Sequence, residues 1–134
     1  MHDLTRRHLR FGWWSLFVFL CLGVLLEALH GYRVPDYLAP EHETRRLLWT
    51  LAHAHGALLS LVHVAFAVTA DRVEGLGAAS PALLAASVML PSGFFLGGLF
   101  EHGADPGIGI LLVPLGALPL AFSVVVTARA IGRD

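Results

Sequence analysis

The sequence predicts an all-α membrane protein, an antiparallel four-transmembrane-helix bundle forming a single integral membrane domain over 1–134. Two observations carry this. The chain has 134 residues, of which 56% are hydrophobic and only 14% charged, with a mean hydropathy of +0.69. That is too apolar for an ordinary water-soluble domain. Four separate stretches also approach the roughly 20 apolar residues that a helix needs to cross a bilayer. They cover about 11–29, 47–69, 78–100 and 108–128.

The first span, from about Phe11 to Leu29, follows Arg6, Arg7 and Arg10. The run TRRHLRF reads as a cytoplasmic anchor for this span and shares its paired arginines with twin-arginine export signals. The second span begins after GYRVPDYLAPEHETRR, where Pro40 followed by Glu41 and Glu43 reads as a helix start. The third and fourth spans follow the short connections Ala70–Gly77 and Glu101–Gly107, so neighbouring helices should pack antiparallel. Pro91, Pro114 and Pro119 should kink the last two spans, and Asp105-Pro106 should start the fourth with Asp105 as N-cap. Gly93 and Gly97 stand four apart, a spacing that lets a neighbouring backbone come close.

Arginine distribution sets the orientation. Arg6, Arg7, Arg10, Arg72, Arg129 and Arg133 fall on one side, and Arg33, Arg45 and Arg46 on the other. The positive-inside rule then puts both termini in the cytoplasm, with a bacterial inner membrane as the simplest location. The lipid bilayer is the first partner; other membrane subunits or a homo-oligomer are further ones. A formal net charge of −1 gives no footprint for nucleic acid. One cysteine, Cys21, excludes an intrachain disulfide and a cysteine-based zinc site.

The informative excess is eight histidines in an apolar chain. In this topology Glu27, His30, His53, His55, Glu101, His102 and Asp105 fall in the outer third of the bundle or just beyond it. Glu27 and His30 form an E-x-x-H pair on one helical face. Imidazole with carboxylate suits Fe, Cu or Zn, and helix bundles commonly build such sites. Glu27, His30, His53, His55, Glu101 and His102 are therefore the candidate metal ligands. For Asp105 the capping role is preferred. His53 and His55 point about 160° apart, so a regular helix cannot turn both onto one ion. A bis-histidine haem b would instead pair His53 or His55 with His30 or His102.

His53, Gly56, Ser60, His63 and Ala67, with Trp49 and Ala52, form a small and polar stripe that should face the interior. His63 lies about 15 Å deeper than His53. It has no transmembrane histidine partner in this reading, and the inner side holds no matching cluster. His63 then bonds a backbone carbonyl or a serine on a neighbour, or serves as a lone axial ligand to haem or a chlorophyll-like pigment.

The segment LAHAHGALLSLVHVAF resembles the His-bearing helix starts of the haem–copper oxidase and nitric-oxide-reductase superfamily. That resemblance implies His53 or His55 as a haem ligand. It covers residues 47–67 only, and the spacing to glycine is not kept. Two longer stretches, ETRRLLWTLAHAHG and LPSGFFLGGLFEHGADPGIGILLVPLGA, resemble small, uncharacterised four-span bacterial membrane proteins.

The chain contains no P-loop, dinucleotide fingerprint, G-x-S-x-G or H-E-x-x-H motif. Three functions follow from these residues. The first is a metal- or haem-binding protein with a redox or electron-transfer role. The second is a non-catalytic accessory subunit of a larger membrane complex, with histidines as hydrogen-bonding glue. The third is a membrane metalloenzyme.

Overall fold

The computed structural model describes residues 3–132. Among these described residues five α-helices follow one another: α1 (Asp3–Gly31), α2 (Pro35–Leu38), α3 (Glu43–Ala70), α4 (Ala79–Leu99) and α5 (Leu112–Ile131). Short 3₁₀ turns at Pro40–His42 and Ile108–Leu111 lead into α3 and α5. Among the described residues there is no strand. Four of the helices, with their leading turns, are long and apolar enough to cross a membrane.

Local chemistry sets the helix ends. At the end of α1, Val34 N–H donates to Leu29 O and Arg33 N–H donates to His30 O, both at 3.1 Å. This pairing satisfies carbonyls that the helix leaves open. It places Arg33 at φ 52, a left-handed position where glycine is the usual occupant. Pro40 opens the turn before α3, as the sequence implies. The start of the last helix differs from expectation. Asp105 is exposed and exchanges backbone bonds with His102, at 3.0 and 3.2 Å. Gly107 is the N-cap residue of the turn at Ile108, and no side chain caps it. The backbone closes this corner instead: Gly107 N–H donates to Gly97 O at 2.8 Å. Pro91 and Pro119 lie inside continuous helices, while Pro114 stands in the first turn of α5, where an amide has no intrahelical partner to lose.

Packing runs in the order α1, α3, α4, α5. The inner pair is α3 and α4. Of their most apolar windows 39% and 44% are buried, against 11% for each of α1 and α5. Phe66, Leu76, Ala79 and Leu83 form one core cluster, and Leu59, Ala86 and Leu90 a second. Small residues let the backbones meet. Gly93 faces Leu112 and Val113, Gly97 faces Ile110, and Gly116 faces Met89 and Leu90. Between α1 and α3 the fit is reciprocal: the Phe19 ring covers Gly56, and the His53 ring covers Gly23.

Candidate functional site

The stripe on α3 is the buried face of that helix: Ala52, Gly56, Ser60, His63 and Ala67 are all enclosed. A matching stripe lies on α1. Thr5, His8, Gly12 and Gly23 are buried and Ser15 and Phe19 half-buried, at helical spacings of three and four or multiples of them. Where the two stripes meet near the start of α1, Gly12 leaves room. A Cβ there would stand 2.9 Å from Ser60 O and 3.2 Å from His63 Cβ.

This close approach seats two buried imidazoles against each other. His8 Nδ1 and His63 Nδ1 are 2.6 Å apart, with ring centroids at 4.8 Å. His8 Nε2 lies 2.8 Å from Ser80 Oγ, and His63 Nε2 lies 2.9 Å from Ser87 Oγ. Phe66 and Phe11 flank the rings at 4.5 and 4.4 Å between centroids. Nearby, Ser15 Oγ and Ser60 Oγ are 2.7 Å apart, and Ser60 Oγ–H donates to Gly56 O at 2.7 Å.

Hydrogen counting shows that the His–Ser chain satisfies itself without charge. Two neutral imidazoles supply two N–H groups, and each serine supplies one O–H. Ser80 donates to His8 Nε2, His8 Nδ1–H donates to His63 Nδ1, and His63 Nε2–H donates to Ser87 Oγ. The reversed direction works equally well. Either way three helices are tied by three buried bonds, with no buried ion to stabilise. Two expectations are corrected here. His63 does have a histidine partner in the chain, and a polar cluster does form at the α1 N-terminal end. His8 was missed because it precedes the apolar run, although α1 is already helical at Asp3. The readable signal was the stripe of Thr5, His8, Gly12 and Ser15.

At the opposite end a second cluster surrounds Glu101, whose side chain is 2% exposed. His42 Nδ1 donates to Glu101 Oε1 at 2.9 Å, and Arg45 Nε lies 3.3 Å from the same oxygen. Arg45 Nε also donates to Gly98 O at 3.2 Å, and its guanidinium lies 5.7 Å from the Trp49 ring centroid. Glu101 Oε2 is buried without a partner. Glu101 was among the sequence-derived candidates; His42 and Arg45 were not, because they precede the apolar run although helical structure already starts at Pro40 and α3 at Glu43.

The other candidates lie apart. His53 Nδ1–H donates to Phe19 O of α1 at 2.7 Å. It reaches that carbonyl because Gly23, one turn on, has no side chain to cover it. His55 Nδ1–H donates to Leu51 O of its own helix at 2.9 Å, and its ring packs on Phe94. Glu27, His30 and His102 are exposed. Among the described residues, no group of three or more His, Cys, Asp or Glu is placed to hold a metal ion.

The His53 contact makes a measurable prediction. Gly23→Ala puts a methyl group into the His53 ring and covers the Phe19 carbonyl. Overpacking of this kind costs about 1–3 kcal/mol. Reversible unfolding in bicelles should show that loss, and Gly31→Ala, where a Cβ meets nothing, should show much less.

Comparison with protein-family models, with curated proteins and with solved structures finds no match.

Proposed function

We propose that this chain is a four-span integral membrane protein, an antiparallel bundle with both termini cytoplasmic, that serves as a non-catalytic accessory subunit of a larger membrane complex. One observation carries this reading: the histidines at depth are engaged in protein contacts. His8 and His63 bond each other and two serines of α4, His53 bonds the α1 backbone, and His55 bonds its own helix. Ionisable groups at membrane depth are costly and usually partnered; here their partners are other parts of the same fold. The flanking helices supply the surface such a subunit needs. Trp13, Phe17, Leu20 and Val24 of α1, and Leu118 and Phe122 of α5, are more than half exposed, an apolar surface suited to lipid or to neighbouring subunits. A bacterial inner membrane fits the arginine asymmetry.

A metal- or haem-binding role, with a redox function, is the second reading. It is favoured by the tautomers of His53 and His55. A carbonyl can only accept, so Nδ1 of each ring is the donor and Nε2 keeps its lone pair. Metal-bound histidines are oriented in the same way. Against it, His53 Nε2 lies where the ring packs onto Gly23. Haem b, or Fe, Cu or Zn, would have to be held at His55 or between chains. An absorption spectrum and metal analysis of the gently purified protein separate the two. The accessory-subunit reading expects no Soret band and no stoichiometric metal. A Soret band lost in His55→Ala, or bound metal lost in that variant, would replace it with the second.

A further inference from the structure

The first four turns of α1 carry a feature that neither the fold nor the histidines explain. A shallow, widely open groove of about 720 Å³ runs along one face of this single helix, lined at one end by Arg6, Arg7 and Arg10 and further on by Phe11, Trp14 and Val18. Among the described residues none of the three guanidinium groups forms a salt bridge. The one carboxylate in the lining, Asp3, leaves an excess of two positive charges there. From Asp3 to Val18 the groove covers about 22 Å of helix. It thus passes from a cationic rim to an apolar trough within the length of a phospholipid.

We propose that this groove binds one anionic glycerophospholipid, its phosphate on Arg6, Arg7 and Arg10 and an acyl chain along Phe11, Trp14 and Val18. The proposal rests on the membrane reading above. Guanidinium groups present paired donors that match phosphate oxygens, and the charge excess calls for a net negative headgroup. A zwitterionic lipid brings its own cation and leaves that excess unopposed. Basic residues beside a span attract anionic lipid by about 1 kcal/mol each, which corresponds to about fivefold in affinity per arginine.

Trp14 reports on the site directly. A Trp13→Phe, Trp49→Phe variant keeps Trp14 as the single tryptophan and is reconstituted in phosphatidylcholine vesicles. These contain a minor fraction of phosphatidylglycerol or of phosphatidylcholine brominated on the acyl chain. The proposal expects brominated phosphatidylglycerol to quench Trp14 well beyond an equal fraction of brominated phosphatidylcholine. That preference should fall about fivefold for each Arg→Gln change at positions 6, 7 and 10. Equal quenching by both lipids overturns the lipid site and leaves the membrane reading standing. No quenching by either places Trp14 outside the acyl layer and overturns both. Equal quenching by both lipids together with binding of inorganic phosphate that is lost in the Arg→Gln variants overturns the lipid assignment in favour of a free-phosphate site.

Discussion

His63→Ala should lower the unfolding free energy in bicelles by about 3 kcal/mol, the largest loss of any single histidine replacement. Two effects add. Removing a fully buried ring leaves a space between Phe11 and His8 that the rigid helices cannot close. The His8 Nδ1 is also left without its partner. Ser87 loses less, because a helical serine can turn its hydroxyl to a carbonyl of its own helix. His8→Ala should cost somewhat less, since His8 lies nearer the end of its helix. The double variant is the sharper test. Once one ring is gone the other contributes little, so the combined loss should fall short of the sum by about 1 kcal/mol, within the range found for bonds between membrane helices. Strictly additive losses would mean that the 2.6 Å contact adds nothing of its own.

Glu101 should show the second large effect. Glu101→Ala leaves Arg45 and His42 facing a cavity where a carboxylate stood. Breaking a buried ion pair costs about 3–5 kcal/mol. Arg45 and His42 are each 25% exposed and recover some hydration, so the expected loss is about 2 kcal/mol. Glu101→Gln keeps an oxygen for both donors and should lose about half as much. Because the carboxylate is 2% exposed, the loss should change little between low and high salt. Thermal unfolding of the three proteins at two ionic strengths measures both points. A loss that disappears at high salt would place this pair at the solvated surface.

The four long helices were legible because composition and length alone determine them: an apolar run of span length has few alternatives. Their partners were less so. The α3 stripe from His53 to Ala67 could be read from spacing, and it is the face buried against α1 and α4. The matching residue His8 was hidden by a boundary. Hydropathy marks where the apolar run begins, near Phe11, whereas the chain is already helical at Asp3 and carries a polar stripe from Thr5 past that point. At the other end, Glu101 was visible as a carboxylate closing a span. Arg45 reaches it from the first turn of α3 and His42 from the turn just before, both ahead of the apolar run that marks the span. Asp105 was misplaced as a cap for a different reason: Asp-Pro is a common helix start, but here the Gly107 to Gly97 bond sets the corner.

Buried histidines bond one helix to another in this bundle, and the bond between His8 and His63 is the most direct case. Nitrogen-15 NMR of histidine-labelled protein in bicelles can detect it as a scalar coupling across the hydrogen bond. The result expected is a coupling between one Nδ1 and the other that vanishes in both His8→Ala and His63→Ala, with each Nε2 hydrogen-bonded. Two uncoupled rings, or an Nδ1 shifted to a metal-bound position, would contradict it.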